Sequence, residues 1–393
     1  MLNLILFDDI AWQQLRPLTF TRPVSHIRIG ILTIKEKWER HLSGEVSCLT
    51  QPYLSAKFKL KTDESNLLIN SSIVPTEPFV SKVLSLTANQ ALVSGTKLLA
   101  IRLDEDQLKT FNPEQIPLNA EPYRDELILI QQPSDIFTFN HQALRSDFEL
   151  LTKNRISEKL NDTNTVLGNQ LFVEEGIEVN CAIINTTTGP VYIGKNVQIM
   201  EGAMIRGPFA ACEGSVVKMG TKIYGSTTLG PNTVVGGEVK NSVIFGNSNK
   251  GHEGYLGDSV IAEWCNLGAD TNNSNLKNNF GEVKVWDYSL ADFKPSGLQK
   301  IGLIMGDHSK CAINTSFNTG TVVGVGCNIA GSGLLPKFIP DFLWFTTENR
   351  IDYRLEKAFH DFDSMMNSKK SMLNAEEKRI LEEVFNLTNT NRK

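Results

Sequence analysis

The clearest pattern in the chain is an apolar or small residue at every sixth position through its middle part. Six residues per face, with about three faces per turn, is typical of a parallel β-helix in which small apolar side chains stack inside. The pattern therefore predicts such a coil over roughly residues 165–335. The positions that carry the period are Ile193, Ile199, Ile205, Ala211, Val217, Ile223, Leu229 and Val235, with a second run at Met305, Cys311, Phe317, Val323 and Ile329.

The residues before the coil alternate between strand and helix signals. Thr33 and Glu36 have the spacing of a capping box that opens a helix, and residues 80–86 carry no turn signal and are expected to be helical. This alternation predicts an α/β domain with a mostly parallel sheet over residues 1–160. The buried-strand candidates are the apolar runs at residues 4–6, 67–69 and 98–101.

The end of the chain has a helical rather than a six-residue period. We expect the repeat to stop at Pro336 and two helices to follow, the second capped by Asn374. The domain boundaries predicted in this way are 1–160, 161–335 and 336–393. The helices are expected to cap the end of the coil or to pack between subunits. The first helical stripe consists of Leu355, Ala358, Phe359, Phe362, Met365 and Met366.

Composition excludes several classes of protein. The 393 residues are 41% hydrophobic and 21% charged, which is typical of a globular chain rather than a disordered or fibrous one. The formal net charge is -5, so we expect no nucleic-acid partner. No apolar run approaches the roughly 20 residues that span a bilayer, and no membrane partner is expected. Six scattered cysteines without a C-x-x-C pair, and no signal peptide, favour a cytoplasmic location.

Candidate chemistry is found where the six-residue period breaks. The densest polar cluster of the coil lies in residues 249–258 and 266–275, and it contains His252 and Tyr255. A histidine, with a typical pKa near ~6.5, is the natural proton acceptor at neutral pH, and the neighbouring amides suit a polyol ligand. On composition alone a lone histidine is more often structural than catalytic, so both readings stay open at this point.

The run Lys250-Gly-His-Glu-Gly-Tyr-Leu-Gly-Asp258, continued by Cys265 to Asn275, resembles a known acetyltransferase site. The family is that of the bifunctional bacterial glucosamine-1-phosphate acetyltransferase and N-acetylglucosamine-1-phosphate uridylyltransferase, and the whole chain resembles a divergent branch of it. The resemblance implies a nucleotidyltransferase-like α/β domain, then a left-handed parallel β-helix of hexapeptide repeats, then short C-terminal helices. It also implies a homotrimer with active sites between neighbouring subunits.

The same resemblance implies roles for individual residues. His252 would be the general base that removes a proton from the substrate amine. Tyr255 and Asn266 would hold the sugar phosphate, and Asn275 would lie where the sugar meets the coenzyme. The backbone that would line the acetyl-CoA groove belongs to Ala269, Ile313 and Ala330.

The family also grips the phosphate with basic side chains on the preceding coils. Insertions in this chain prevent a direct match there, so Arg206, Lys240 and Lys250 are candidates for this role. For each of them, a solvated surface charge is the alternative.

The N-terminal domain resembles a sugar nucleotidyltransferase that lacks some of the family's phosphate-binding residues. Residues 15–23 match the stretch that follows the family's glycine-rich phosphate loop, but Phe7-Asp8-Asp9 stands where that loop should be. Arg16 and Arg22, with Arg28, are the candidates for binding a nucleotide phosphate, and Asn140 matches a metal-side residue. If this domain is active, it would join UTP to the sugar phosphate with Mg²⁺.

The sequence therefore predicts a sugar-phosphate transferase that N-acetylates an amino-sugar 1-phosphate, glucosamine-1-phosphate first among them, with acetyl-CoA as cosubstrate. A nucleotidyltransferase activity that forms UDP-N-acetylglucosamine would accompany it if the N-terminal domain works. Two alternatives stay open. One is that the chain is mainly a sugar-1-phosphate nucleotidyltransferase whose coil serves assembly. The other is a catalytically silent sugar-nucleotide-binding protein.

Overall fold

The structure, a computed structural model, describes residues 3–42 and 44–392. An N-terminal α/β domain packs against one side of a long β-coil, and two helices at the end of the chain pack against another side. The elements of the N-terminal domain are β1 (Asn3–Phe7), α1 (Ala11–Gln14), α2 (Ile34–Leu42), β2 (Val46–Leu49), β3 (Asn66–Asn70), β4 (Ile73–Val74), α3 (Glu77–Leu84), β5 (Ala91–Ser94), β6 (Lys97–Leu103), α4 (Glu105–Lys109), β7 (Glu121–Pro122), β8 (Ile128–Leu129), α5 (Pro133–Thr138) and α6 (Asn140–Thr152).

The sheet of the N-terminal domain has the strand order β2-β1-β3-β6-β5-β7. The expected capping box is present, because the Thr33 N–H donates to Glu36 Oε2 and the Glu36 N–H to Thr33 Oγ1. The expectation of a mostly parallel sheet holds for five of its six described strands: β2, β1, β3, β5 and β7 run in one direction, and β6 is antiparallel to both β3 and β5. The reason is a tight turn at residues 95–96, since a two-residue connection joins only antiparallel neighbours.

The coil is built almost entirely from strands of two to four residues. Its strands and the short hairpins near its end are β9 (Thr165–Leu167), β10 (Leu171–Val173), β11 (Glu178–Val179), β12 (Ile183–Asn185), β13 (Val191–Ile193), β14 (Gln198–Ile199), β15 (Met204–Arg206), β16 (Phe209–Ala211), β17 (Val216–Val217), β18 (Lys222–Tyr224), β19 (Thr227–Leu229), β20 (Val234–Val235), β21 (Glu238–Lys240), β22 (Val243–Ile244), β23 (Asn249–Lys250), β24 (Tyr255–Gly257), β25 (Val260–Ile261), β26 (Asn266–Leu267), β27 (Asn272–Asn273), β28 (Lys284–Asp287), β29 (Asp292–Pro295), β30 (Leu303–Met305), β31 (Lys310–Cys311), β32 (Ser316–Phe317), β33 (Thr321–Val323), β34 (Asn328–Ala330), β35 (Phe338–Ile339), β36 (Leu343–Thr346) and β37 (Arg350–Asp352).

The coil has three faces, each a parallel sheet. The domain face, β10-β13-β16-β19-β22-β25-β30-β33-β35, packs against the N-terminal domain. The helix face, β11-β14-β17-β20-β23-β26-β31-β34-β36, contacts the C-terminal helices. The exposed face consists of β9-β12-β15-β18-β21-β24, continued by β27-β32. Its lower strands leave Ile183 44% and Met204 45% exposed.

The six-residue period is confirmed as the core of the coil. All thirteen positions that carry it, from Ile193 to Ile329, are buried in one continuous apolar cluster. Side chains at successive levels lie in register, as in the ladder of Ile199, Val217 and Val235 along the helix face. Parallel strands that stack in this way satisfy each other's backbone hydrogen bonds from one level to the next.

The end of the coil differs from the expectation that the repeat stops at Pro336. β35 pairs parallel with β33, and β36 pairs parallel with β34, so the coil continues to Thr346. Two helices follow, α7 (Leu355–Asn367) and α8 (Ala375–Leu387), and the second begins with the expected capping box between Asn374 and Glu377. In the described part of the chain, no helix is both long and apolar enough to cross a membrane.

Candidate functional site

His252 lies on a four-residue turn between β23 and β24, at the corner where the helix face meets the exposed face. Both His252 and Glu253 are exposed. The turn closes on Gly254, whose φ is +111°, and a Cβ there would lie 2.1 Å from the carbonyl oxygen of Thr271. Only glycine fits that position, because the next level of the coil passes directly beside it.

The coenzyme candidates lie along the same corner at the following levels. By the strand register, His252, Ala269 and Ile313 occupy equivalent positions in three successive turns of the coil. The Asn314 N–H donates to the Ala269 carbonyl at 2.7 Å, and Ile313 leaves 65% of its surface exposed. Ala330 is exposed one level further on. The structure therefore brings these four residues to one edge of the coil.

Tyr255 and Asn275 meet next to the histidine turn, on the exposed face. Asn275 Nδ2 donates to Tyr255 Oη at 3.0 Å and also to the buried carboxylate of Asp258. Asn241 Nδ2 donates to the other oxygen of Asp258 at 2.7 Å. Burial raises the pKa of Tyr255 above its usual value. The tyrosine therefore stays neutral, with a hydroxyl proton available for a ligand.

Two of the three phosphate candidates lie on the same face as Tyr255. Lys240 ends β21, which pairs with β24, and Arg206 ends β15, two strands below β21. Between them, the sequence analysis missed Tyr224, whose ring centroid lies 5.8 Å from Lys240 Nζ and whose hydroxyl donates to Glu238. The sequence did carry a signal for Tyr224: it lies on β18, a strand of the face that also contains Tyr255 of the histidine motif. A groove of about 420 Å³ reaches Arg206 and Tyr224 from the lower coils.

The third candidate, Lys250, does not face the exposed side at all. Its side chain points into the coil and is 2% exposed, and Nζ donates to the backbone carbonyls of Gly236, His252 and Glu253. A side chain that is enclosed in this way is not available to a phosphate. The expectation that Lys250 grips the substrate is therefore corrected, because the residue falls on the inward side of β23.

Asn266 lies apart from Tyr255 and Asn275, on the helix face. Its Oδ1 accepts a hydrogen bond of 3.5 Å from Asn249 Nδ2, and Asn249 Oδ1 accepts one of 3.0 Å from Lys369 Nζ. Within one chain the structure does not bring Asn266 together with the residues of the exposed face. The sequence analysis missed Lys369, which lies beyond α7. Burial lowers its pKa to about 8.

Arg22 binds the coil rather than a nucleotide. It is buried, and its Nη2 donates to both carboxylate oxygens of Asp307 at 2.9 and 2.8 Å and to Glu263 at 3.3 Å. Two carboxylates thus balance its charge where the N-terminal domain meets the coil. The expectation that Arg22 holds a nucleotide phosphate is corrected for this reason.

Asn140 is corrected in the same way. It is fully buried, its Oδ1 accepts from the Gly30 N–H at 2.7 Å, and its Nδ2 donates to the Ser226 carbonyl at 2.8 Å. The amide thereby joins the N-terminal domain to the coil and leaves no oxygen directed at a metal. Arg16, the other phosphate candidate, packs its guanidinium over Trp12 and Phe20.

The carboxylates that replace the phosphate loop are enclosed as well. Burial raises the pKa of Asp8 to about 7, although Thr50 Oγ1 and the Val24 N–H donate to it. Asp9 accepts from Asn70 Nδ2 at 2.9 Å and from Lys97. Throughout residues 3–42 and 44–392, no three His, Cys, Asp or Glu side chains are grouped to hold a metal ion. Because protein groups already bind Asp8, Asp9 and Asn140, these three residues do not fit the Mg²⁺ that the resemblance implies.

Comparisons with known proteins agree with this architecture. Residues 4–156 match the family model described as sugar nucleotidyl transferase. The bifunctional protein GlmU of Methanocaldococcus jannaschii is 40% identical over 29% of this chain and 28% of its own length. That of Methanococcus aeolicus is 34% identical over 59% of this chain and 60% of its own length. The chain thus matches less than two thirds of the length of each of these two relatives.

A longer match is to the bifunctional sugar-1-phosphate nucleotidylyltransferase/acetyltransferase of Sulfurisphaera tokodaii, which is 26% identical over 81% of this chain and 93% of its own length. A solved structure of Arabidopsis UDP-N-acetylglucosamine acyltransferase has a TM-score of only 0.22, so the fold assignment rests on the strand order described above. With a sugar nucleotidyl transferase match over residues 4–156 and a β-coil after it, the chain is similar to GlmU-type bifunctional proteins.

Proposed function

We propose that the coil transfers the acetyl group of acetyl-CoA to the amine of an amino-sugar 1-phosphate, with glucosamine-1-phosphate as the expected substrate. The observation that carries the proposal is the corner of the coil, where an exposed histidine adjoins the Tyr255–Asn275 pair and the backbone of Ala269. A base, a polyol-binding network and an edge for an extended coenzyme are the three parts that this reaction needs.

The reaction follows from those parts. The amine nitrogen attacks the thioester carbonyl of acetyl-CoA, and His252 accepts the proton that the nitrogen loses as the C–N bond forms. The tetrahedral intermediate then collapses, the C–S bond breaks, and coenzyme A leaves with the sulfur electrons and takes up a proton. Backbone N–H groups at the corner suit the oxyanion of that intermediate.

Binding of the sugar phosphate is assigned to the exposed face. Tyr255 and Asn275 would hold sugar hydroxyls, and Lys240 and Arg206 would attract the phosphate from the neighbouring strands. Asn266, on the helix face, would reach the site of a neighbouring subunit in a homotrimer. Such a site would use residues from two chains. It would bind acetyl-CoA and a sugar phosphate, and we expect both substrates in the cytoplasm.

Nucleotidyl transfer to UTP is the second candidate, favoured by the family match over residues 4–156. The contacts of Arg22 and Asn140 with the coil argue against it. The third, a silent sugar-nucleotide-binding protein, remains an outcome of the test. We rank acetyl transfer first because the exposed His252 and the half-buried Tyr255 and Asn275 lie near one corner of the coil.

A labelled acetyl group tests the proposal. The protein is incubated with acetyl-CoA carrying a ¹³C-acetyl group and, in turn, with several amino-sugar 1-phosphates and with free glucosamine. Label on the sugar nitrogen of a phosphorylated substrate is the expected result, with loss of labelling in His252→Ala and normal labelling in His360→Ala, whose imidazole is exposed on α7. If none of the substrates yields a labelled sugar, the proposal is overturned. The alternative that then remains is a protein that binds a sugar nucleotide without catalysis.

A further inference from the structure

Lys250 is a lysine in an otherwise apolar column of the coil. In the strand register it follows Val217 and Val235, and Leu267 and Cys311 come after it on the same inward line. Its methylene groups suit this position, but its ammonium requires hydrogen-bond acceptors inside the coil. Burial lowers the pKa of Lys250 to about 8.

The acceptors are three backbone carbonyls. Lys250 Nζ donates to the carbonyls of His252 at 2.8 Å, Gly236 at 3.0 Å and Glu253 at 3.3 Å. Two of the three belong to the turn that carries the proposed catalytic histidine. In the described part of the chain, no carboxylate lies within ion-pair distance of this ammonium. These hydrogen bonds fix the ammonium of Lys250 and, at the same time, restrict the backbone of the turn.

The turn has reason to need such a clamp. His252 and Glu253 are exposed, and Gly251 and Gly254 on either side allow a wide range of backbone angles. Without an internal anchor, several conformations of this turn would compete, and the imidazole would move with each of them. Because the ammonium draws the carbonyl of His252 inward, it fixes the backbone from which the imidazole projects.

We propose that Lys250 is the positioning residue of the acetyl transfer, and that its buried ammonium sets the place of His252 at the corner of the coil. The inference rests on the proposed function, since it takes His252 as the base. It assigns Lys250 to the orientation of the base, in place of contact with the sugar phosphate.

The variant Lys250→Met tests this, because methionine keeps the unbranched apolar part of the side chain and removes the donors. We expect kcat to fall about a hundredfold, as for a misplaced catalytic group, while KM for the sugar phosphate stays within about twofold. Lys310→Met is the matched control, since Lys310 lies outward on the same face and donates to the Asp361 carbonyl. An unchanged kcat, or a rise in KM alone, would overturn the proposal.

A double variant distinguishes action through His252 from a separate effect. If Lys250 acts by placing the imidazole, Lys250→Met costs little further activity in a His252→Ala background. Losses that multiply in full would contradict the proposal. Should Lys250→Met fail to fold, Lys250→Gln replaces the ammonium by an uncharged amide with two N–H donors on a shorter side chain, and it is scored by the same criteria for kcat and KM.

Amide hydrogen exchange tests the clamp without reference to activity. The Asp270 N–H donates to the Glu253 carbonyl, whereas the Asn314 N–H donates to Ala269 one level away. In Lys250→Met we expect faster exchange at Asp270 and unchanged exchange at Asn314. Unchanged exchange at both would overturn the clamp. A parent protein that releases no thiol, with the exchange result as expected, would instead refute the proposed function alone.

Discussion

Three basic residues of similar appearance in the sequence have three different environments in the molecule. Arg22 is paired with carboxylates between two domains, Lys250 is enclosed by carbonyls, and Lys240 lies on the exposed face. Desolvation decides among these outcomes, since a buried cation needs partners and an exposed one does not. Of the three, only Lys240 is accessible to a ligand.

At Gly254 a single methyl group is expected to disturb the site. Gly254→Ala would place a Cβ 2.1 Å from the Thr271 carbonyl oxygen, in addition to the cost of a positive φ. Gly220→Ala is the matched control, because Gly220 also has a positive φ but has open space around its Cβ. We expect the control to lose about 1 kcal/mol of unfolding free energy and Gly254→Ala to lose more, with a slower acetyl transfer. Equal losses and equal rates in the two variants would contradict this.

The strands of the coil were predictable because each apolar position of the repeat is recognisable from its near neighbours in the sequence. The six-residue period does not show, however, where one turn of the coil has fewer residues than the others. Val217 and Val235 are eighteen residues apart, whereas fifteen separate Val235 from Lys250. The shortened level shifts the phase, so the inward position of Lys250 could not be read from the six-residue count. The face that Asn266 occupies was hidden for a related reason: a motif alone does not say on which face of the coil each of its residues lies.

The contacts between the domains were equally hidden in the sequence. Asn140 finds its partner 86 residues away and Arg22 finds Asp307 285 residues away, and no local pattern encodes such a pair. By contrast, the capping boxes at Thr33 and Asn374 were predicted, since both partners lie within one helical turn.

The ion pair of Arg22 with Asp307 is expected to stabilise the attachment of the N-terminal domain to the coil. Arg22→Met would leave the buried Asp307 carboxylate without its main counter-charge, at a cost of about 3 kcal/mol in unfolding free energy. Lys195→Met, which breaks an exposed pair with Glu175, is expected to have a much smaller effect, because solvent screens that pair. Urea unfolding of both variants measures the difference, and comparable costs would show that the interdomain pair is not needed.

At the scale of the whole molecule, all three parts of the chain meet around His308. This ring is buried on the coil and stacks on Phe362 of α7, with centroids 4.6 Å apart. Asp307 and Glu377 face it with negative charge, and Lys310 and Arg22 with positive charge. Burial is the larger influence and lowers the pKa of His308 from 6.5 to about 4.

The sign of the resulting pH dependence follows from linkage. Between pH 6.5 and 4 the unfolded chain binds a proton at His308 that the folded chain does not, so acidification favours unfolding. Between pH 7 and pH 5, this residue lowers the free energy of unfolding by about 2 kcal/mol. We therefore expect the fall in unfolding free energy between pH 7 and pH 5, measured by urea titration, to be about 2 kcal/mol smaller in His308→Phe than in the parent protein. His360→Phe, at an exposed histidine, is the control, and equal losses in parent and His308→Phe would contradict the burial effect.

The identity of the catalytic base is tested most directly by the rate of thiol release from acetyl-CoA with saturating glucosamine-1-phosphate, in the parent protein and in His252→Ala. We expect turnover in the parent and a fall of roughly a hundredfold to ten-thousandfold in the variant, the range for loss of a general base. A variant as fast as the parent would show that His252 is not the base, and a parent without turnover would show that the coil is not an acetyltransferase for this substrate.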